Sequence, residues 1–267
     1  MPGAVIDMKI YSWNMLFSNK ELDRALAFIR DGEWDIFCLQ EVPEEFLSRL
    51  RTLPVGIAVA SESDRMLHSK RDTIYSVLLS RYPIQATTII PLPFHDPHLP
   101  LRVKIFTRFM FMAGVWTEGL GNRNGICIDI QTTSGIIRIL NLHLILLTPA
   151  IRLKEFEMAM LYRDYTIPTI ICGDFNTIES WRMAPLNWLL GGKIFDTLFY
   201  TRERAHLEKL FAKHSLTNPL RGQSTHVFAD SQLDHILVSK HFSLQTASVL
   251  PNRLGSDHHP IFVETVE

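Results

Sequence analysis

The sequence predicts an α/β fold in which helices cover β-sheets. Short apolar runs bounded by turn residues recur along the chain, and most are too apolar to face water. Segments with helical spacing separate several of these runs. The order is β-α-β at the start, strand-rich in the middle and mixed at the end, which favours sheets covered by helices together with antiparallel hairpins.

Eight apolar runs predict strands, because each is four to nine residues long and ends near turn-forming residues. In chain order they are MKIYSWN at 8–14, WDIFCLQ at 34–40, YSVLLS at 75–80, GICIDIQ at 125–131, IIRILNLHL at 136–144, TIICGDF at 169–175, LDHILVS at 233–239 and IFVETV at 261–266.

Three segments predict helices. Residues 19–31 place apolar side chains at helical spacing, with Asn19 as the capping residue and Gly32 at the end. A second helix is predicted over about 150–165, with Leu153, Phe156, Met160 and Leu161 on one side, and a third over about 202–213. Segment 91–124 is rich in Pro, aromatic residues and Gly, and is expected to be an elaborate connection within a single domain spanning residues 1–267.

Composition limits the partners of the protein. The formal net charge is −1, so there is no overall attraction to polyanions or anionic membranes, and a phosphate-bearing partner must be captured locally. The three cysteines, Cys38, Cys127 and Cys172, lie in apolar runs and are expected to be reduced core residues. The sequence contains neither a signal-like start nor a transmembrane stretch, which predicts a cytoplasmic protein. We expect a monomer without an obligate protein partner.

Polar residues follow several of the predicted strands. Asn, Glu, His and Asp side chains stand where the apolar runs end, and ligands of α/β proteins usually bind at such an edge. These residues are Asn14, Glu41, His143, Asp174, Asn176 and Asp234, and the C-terminal hexapeptide GSDHHP adds Asp257 and His258. One polar strand end alone more often forms a turn, but a set with complementary chemistry predicts an active site.

The motifs in this set resemble those of the endonuclease/exonuclease/phosphatase superfamily. WN, LQEV, NLHL, GDFN, LDHILVS and SDHHP occur in the order of that family, between residues 13 and 260, and SVLLSRYPI at 76–84 is similar to a strand pair of the family. The N-x-H motif at 141–143 resembles the deoxyribonuclease, sphingomyelinase, deadenylase and tyrosyl-phosphodiesterase branches. The resemblance implies a four-layer α/β sandwich, in which two mixed, mostly antiparallel sheets pack face to face between helices.

The expected metal site is built from oxygen ligands. A carboxylate at a strand end, such as Glu41, suits Mg²⁺, which prefers one or two carboxylates together with water and substrate phosphate. Asn14 would orient either Glu41 or a metal-bound water, and the resemblance implies that Asp257 adds a second carboxylate. We therefore expect Mg²⁺ as cofactor, with Mn²⁺ as a possible substitute.

Cleavage of a phosphoester also needs an activated water and donors aimed at the developing charge. The resemblance implies that Asp174 positions or deprotonates the water, that Asn176 donates to phosphoryl oxygens, and that Asp234 orients His258, which stabilises or protonates the phosphate. It also implies that His143 contacts phosphate or protonates the leaving oxygen. One departure concerns Leu16, because several relatives have Asp or Asn there in the metal shell.

The substrate is less closely defined. Segment 94–124 interleaves aromatic and basic residues, and Arg102, Arg108 and Trp116 are expected to bind substrate. We predict a divalent-metal-dependent phosphodiesterase and slightly favour nucleic acid as its substrate. The same residues equally suit a lipid interface, so a phospholipid headgroup or a sugar or inositol phosphate is the alternative. A catalytically inactive binding module is the alternative of another class, although the site residues are all present.

Overall fold

The computed structural model describes residues 7–67, 70–92, 99–112, 123–199 and 201–266. Its strands are β1 (Asp7–Asn14), β2 (Ile36–Pro43), β3 (Gly56–Leu67), β4 (Lys70–Ser80), β5 (Ile84–Pro91), β6 (Asn124–Gln131), β7 (Ile136–His143), β8 (Thr169–Asp174), β9 (Leu216–Thr217), β10 (Asp234–Ser239), β11 (Ser243–Val249) and β12 (Ile261–Val266). Its helices are α1 (Leu22–Asp31), α2 (Glu44–Leu50), α3 (Leu101–Met112), α4 (Pro149–Met160), α5 (Ala184–Leu189), α6 (Ile194–Leu198) and α7 (Arg202–Lys213), with a 3-10 helix at Trp181–Met183.

Within the described residues the strands form two six-stranded sheets. The first sheet has the order β11-β12-β1-β2-β4-β3, and the second has the order β5-β6-β7-β8-β10-β9. Only the β1–β2 and β7–β8 pairs in these sheets are parallel, and the other pairs are antiparallel. The expectation of two mixed, mostly antiparallel sheets is confirmed.

Three apolar clusters lie between the four layers of the molecule. One buried cluster, which includes Ile10 and Leu78 of the first sheet and Ile139 and Ile236 of the second, fills the space between the sheets. A second cluster packs the outer face of the first sheet against α1 and α2. A third packs the outer face of the second sheet against α4 and α7. Because both faces of each sheet are covered, the central strands are apolar throughout.

Four strands of the structure were not predicted from the hydrophobic pattern, and each of the four lies at the edge of a sheet. Strands β3 and β11 close the first sheet, and β5 and β9 close the second. Strand β5 exposes most of its residues, and β11 is exposed along its first half. An edge strand is paired on one side only and needs few apolar residues, so it leaves little signal in the sequence.

The predicted helices require three corrections. Asn19 is not the N-cap of the first helix; α1 begins at Leu22 after Glu21, and the Asn19 side chain instead accepts a hydrogen bond from the Glu21 amide at 2.8 Å. The second helix ends at Met160, so that Leu161 is exposed and does not continue the apolar side. Segment 91–124 is not an irregular connection throughout, because α3 occupies its middle. The helix predicted over 202–213 is confirmed as α7.

The three cysteines are buried free thiols, as expected. Among the described helices, none combines the length and the apolar character that crossing a membrane requires.

Candidate active site

Polar strand ends from both sheets meet at one edge of the sandwich. In the first sheet, Asn14 ends β1 beside β2, which carries Glu41. In the second sheet, β7 and β8 run parallel with His143 opposite Asp174, and antiparallel β10 places Asp234 opposite Asp174. The Asn14 amide joins the sheets by donating to the Asp174 carboxylate at 3.0 Å.

Asn14 also contacts Glu41. Its Nδ2 lies 3.3 Å from Oε1 of Glu41, and its Oδ1 accepts the backbone N–H of Leu16 at 3.1 Å. Glu41 has a φ of 54° at an irregularity in the pairing of β2 with β4. A non-glycine residue in the left-handed region of φ is strained by about 1–3 kcal/mol, and such residues cluster at functional sites. The bulge turns the Glu41 carboxylate towards Asn14.

Glu62 is a site residue that the sequence analysis missed. It is buried in edge strand β3, where one carboxylate oxygen contacts Nδ1 of His143 and the other accepts the backbone N–H of Glu41 at 2.8 Å. The sequence analysis missed this role because GIAVA at 56–60, the short run of mostly small residues before Ser61 and Glu62, was not among the predicted strands.

The glycine of the GDFN motif allows the two central strands of this site to approach each other closely. Gly173 has a φ of 141°, and a Cβ atom there would lie 1.7 Å from the carbonyl oxygen of Leu142. Only glycine fits between β7 and β8 at this point. The contact fixes Asp174 next to His143.

Asp174 and Asn176 point into the site from either side of Phe175, which is buried in the core below. The Asn176 backbone N–H donates to Oδ1 of Asp174 at 2.8 Å. Its side-chain amide donates to the Leu144 carbonyl at 2.8 Å and faces Nε2 of His143 at 3.1 Å. Since the Asn176 amide is a donor and the Glu62 carboxylate an acceptor, the His143 tautomer that fits carries its proton on Nδ1.

Asp234 and His258 form a buried dyad. Nδ1 of His258 lies 2.8 Å from Oδ2 of Asp234, and its Nε2 lies 3.7 Å from Oδ2 of Asp174. Burial lowers the pKa of His258, but the carboxylates of Asp234 and Asp174 oppose it and raise its pKa to about 10. The His258 imidazole is therefore protonated at neutral pH and carries a donor towards Asp174.

Two imidazoles face the Asp174 carboxylate. Burial favours the neutral form of Asp174, but the positive charge of His258 and the hydrogen bonds from the Asn14 amide and the Asn176 backbone N–H outweigh it and lower the pKa of this carboxyl. Nε2 of His143 lies 3.6 Å from Oδ2 of Asp174. Asp174 is thus an anion fixed by several donors.

Asp257 faces a histidine that the sequence analysis did not single out. Nε2 of His226 lies 3.4 Å from Oδ2 of Asp257, and the His226 and His258 rings are 4.6 Å apart, edge to face. Burial raises the pKa of Asp257, but the hydrogen bond from His226 and the His258 charge lower it overall. Oδ1 of Asp257 is buried without a hydrogen-bond partner among the described residues.

The donor set fits a hard divalent cation. Two overlapping groups, His226–Asp257–His258 and Asp174–Asp234–His258, each bring one ligand atom per residue within 4.8 Å of one another. In the second group both ring nitrogens of His258 already face carboxylates, which favours a role in orienting that imidazole. Glu41 is partly exposed and Asp257 has an unpartnered oxygen, so both carboxylates offer oxygen atoms of the kind that Mg²⁺ binds.

The three residues expected to bind substrate are placed differently. Arg102 donates from Nε to the Trp188 carbonyl and from Nη2 to the Gly192 carbonyl, both at 2.9 Å, and its guanidinium lies over the Trp188 ring. These contacts tie α3 to the end of α5. Arg108 is exposed on α3. Trp116 lies outside the described residues, so its predicted role stays a prediction.

The fold and this site define a phosphoesterase hydrolase, and comparison with known proteins identifies its family. The model of the Endonuclease/Exonuclease/phosphatase family matches residues 11–258. The chain therefore belongs to the Endonuclease/Exonuclease/phosphatase family, as the sequence motifs indicated. A search of curated proteins finds no match.

Solved structures with the same fold have low sequence identity to this chain. An endonuclease/exonuclease/phosphatase from Beutenbergia cavernae aligns with a TM-score of 0.68 and 15% identity, covering 97% of this chain and 71% of the other. A mannosyl-6-phosphatase from Bacteroides thetaiotaomicron gives 0.61 and 18%, covering 97% and 100%. TDP2 from D. rerio, complexed with a single-strand DNA product, gives 0.63 and 12%, covering 97% and 98%. These likenesses support the four-layer fold.

Proposed function

We propose that the protein is a divalent-cation-dependent phosphodiesterase that uses Mg²⁺, with Mn²⁺ as a substitute. The observation that supports this proposal best is the position of Asp174. Its carboxylate is buried, anionic and held by the Asn14 amide and the Asn176 backbone, with two imidazoles within 4 Å. A carboxylate fixed in this way, with imidazoles beside it, is placed to orient a water next to a phosphate group.

Glu41 and Asp257 would hold the cation, with Asn14 orienting the Glu41 carboxylate. When bound, a divalent cation neutralises phosphate charge and lowers the pKa of a coordinated water. Within the described parts of the chain, the Glu41 carboxylate accepts one hydrogen bond from the Asn14 amide at 3.3 Å and one from the Phe17 backbone N–H at 3.3 Å. Such long contacts are suited to a carboxylate whose main partner is an ion.

The remaining side chains divide the proton transfers between them. Asp174 would orient the attacking water, because its lowered pKa keeps it anionic while making it a weak base. His258, protonated and oriented by Asp234, would donate to phosphoryl oxygens. The Asn176 amide would join it by giving up its contact with His143, because its other N–H donates to the Leu144 carbonyl. His143, with Glu62 behind it, would contact the phosphate or the leaving oxygen.

Nucleic acid is the substrate that the sequence slightly favours, and that preference stays a prediction. TDP2 was solved with a DNA product, and another fold relative is a mannosyl-6-phosphatase, so relatives of this fold act on different phosphoesters. Arg102 contributes less than expected to this preference, because its guanidinium already donates to two backbone carbonyls. The cytoplasmic location, the monomeric state and the single domain are likewise proposals from the sequence.

Hydrolysis of bis-p-nitrophenyl phosphate tests the proposal. We expect activity with Mg²⁺ or Mn²⁺ that EDTA abolishes and that Asp174→Ala lowers by at least about 10³-fold. Asp23→Ala, which removes an exposed carboxylate on α1, is the matched control and should stay active. A well-folded protein that is inert with every cation would favour the inactive binding module. A panel of single-stranded DNA, duplex DNA, RNA, 5′-tyrosyl ends and sphingomyelin then separates the substrate classes.

A further inference from the structure

Helix α3 exposes an apolar stripe. Leu101, Ile105 and Phe109 follow each other at intervals of four residues and are 72%, 61% and 65% exposed. Side chains at this spacing lie on one side of a helix. Isolated exposed apolar residues are common, but a continuous row of large ones marks an interaction surface.

A second exposed apolar group lies at α6. Ile194, Phe195, Leu198 and Phe199 are all more exposed than buried, and the Phe195 and Phe199 rings are stacked with centroids 6.4 Å apart. Helix α5 contacts both α3 and α6, and Arg102 of α3 and Ile194 of α6 line the same groove of about 520 Å³. We call the α3 stripe and this α6 group together the apolar face.

The elements that carry the apolar face pack on the segments that leave the candidate active site. The inner side of α3 places Val103 in a buried cluster with Ile145 and Ile178. Ile145 lies two residues after His143, and Ile178 lies two residues after Asn176. A surface that engages the apolar face is therefore brought close to the candidate active site.

Charge on α3 selects the kind of partner. The helix has no acidic residue and exposes Lys104 and Arg108 beside its apolar side chains, whereas the Arg102 guanidinium is held by the Trp188 and Gly192 carbonyls. The α6 group adds one acid, Asp196. Basic residues beside large apolar and aromatic side chains are typical of helices that lie in the interface of an anionic bilayer. We propose that the apolar face is a docking surface for an anionic phospholipid membrane.

Two other occupants fit these observations less well. In a dimer with two-fold symmetry each patch meets its own copy, so the cations of one α3 would lie against those of the other. Nucleic acid would satisfy the cations, and Phe109 could stack on a base, but Leu101, Ile105, Ile194 and Leu198 are aliphatic and gain nothing from a polyanion. A bilayer accepts both the apolar side chains and the cations.

Vesicle co-sedimentation of the full chain tests the proposal. The vesicles are phosphatidylcholine alone or phosphatidylcholine with about one third phosphatidylserine. We expect binding to the anionic vesicles, and we expect Ile105→Ser combined with Phe109→Ser to weaken it by roughly tenfold or more. Lys104→Ser combined with Arg108→Ser should weaken binding to the anionic vesicles only.

The matched control is Ile89→Ser combined with Leu244→Ser, which removes exposed apolar side chains from strands β5 and β11. It should bind like the wild type. All samples contain EDTA, so the result does not depend on whether the protein is a phosphodiesterase. Lack of vesicle binding by the wild type, or equal binding by the apolar variant and the control, would overturn the proposal. A wild type that forms dimers or binds DNA through the apolar face, and does not bind vesicles, would also overturn it.

Discussion

The carboxylate of Glu62 contacts Nδ1 of His143. Its second oxygen accepts the backbone N–H of Glu41 at 2.8 Å, so one buried side chain of an edge strand orients an imidazole and also anchors the strained residue expected to hold the cation. A carboxylate behind an imidazole fixes the tautomer and raises the basicity of the opposite nitrogen. Glu62 is therefore a positioning residue for both halves of the site.

Glu62→Gln keeps the shape of the side chain and removes its charge. We expect kcat to fall by about 10- to 100-fold, because His143 loses the partner that fixes its tautomer, while KM changes little. Steady-state kinetics with bis-p-nitrophenyl phosphate checks this split between kcat and KM. Glu62→Asp, which retains the charge, should recover part of the loss. A normal kcat in Glu62→Gln would show that the contact has only a structural role.

Glu41→Ala should change the requirement for metal more than it changes stability. Among the residues that the structure describes, the carboxylate receives only hydrogen bonds of 3.3 Å, so its removal costs little folding energy but removes an expected ligand. A Mg²⁺ titration of activity should shift to concentrations at least about tenfold higher. Glu45→Ala, on the exposed side of α2, is the control. Superimposable titration curves for Glu41→Ala and the wild type would rule out the assignment.

Leu16→Asn is expected to stabilise the protein and to improve metal binding. Leu16 has a φ of 61°, a conformation that costs most non-glycine residues about 1–2 kcal/mol but that Asn tolerates. An amide at this position also restores the residue type that relatives place in the metal shell. The free energy of unfolding should rise by roughly 0.5–1 kcal/mol, and half-maximal activity should need less Mg²⁺.

Leu16→Ala is the matched control for this change, because it shortens the side chain without relieving the strain or adding an amide. Urea unfolding in EDTA measures the stability of both variants, and a Mg²⁺ titration of activity measures the metal effect. If Leu16→Asn unfolds at the same urea concentration as Leu16→Ala, the strain at this position is not a source of instability.

Gly173→Ala should be among the most damaging substitutions in the chain. The added Cβ would lie 1.7 Å from the Leu142 carbonyl oxygen, which belongs to a paired strand and cannot move aside alone. We expect a loss of more than about 4 kcal/mol of stability. Gly135→Ala is a close control, since Gly135 has a φ of 139° but nothing within 4 Å of its Cβ position. Its cost should be about 1–2 kcal/mol, from backbone strain alone. Similar costs in urea unfolding would refute the role of the close contact.

Much of this architecture could be predicted from hydrophobic patterning, because the central strands are covered on both faces and must be apolar. Polar residues at the ends of these strands, such as Asn14 and Asp174, stand out against the apolar runs. Their convergence was predicted from the rule that ligands bind at a sheet edge and from family resemblance. In the folded protein the Asn14 amide and the Asp174 carboxylate lie 3.0 Å apart.

Glu62 and His226 could not be found in this way, because neither ends an apolar strand. Glu62 lies in the middle of edge strand β3, and His226 lies in a loop where its Nδ1 accepts the backbone N–H groups of Phe228 and Ala229. Their roles depend on contacts with residues far along the chain, Glu62 with His143 and His226 with Asp257. Helix α3 was missed for a related reason: its outer side is apolar, so it lacks the alternation that marks a surface helix.

The buried histidine behind the candidate site predicts how stability depends on pH. His235 is fully buried, stacked on Phe175, and accepts a hydrogen bond from Arg204 at Nε2. Burial, reinforced by the Arg204 charge, lowers the pKa of His235 well below 6.5. The folded protein therefore keeps this imidazole neutral below pH 6.5, whereas the unfolded chain takes up a proton there. The contribution of His235 to the free energy of unfolding is fully present above pH 6.5. It is lost as the pH falls below this value, by up to about 1.4 kcal/mol per pH unit.

His235→Gln tests this linkage, because a glutamine carbonyl can accept the Arg204 hydrogen bond without titrating. Urea unfolding at pH 7.5, 6.5, 5.5 and 5.0 should show a shallower loss of stability in the variant below pH 6.5. His206→Gln, which replaces an exposed histidine on α7, should follow the wild type. A neutral buried imidazole must make the free energy of unfolding depend on pH. If His235→Gln shows the same pH dependence as the wild type throughout this range, His235 is not the source of the acid sensitivity.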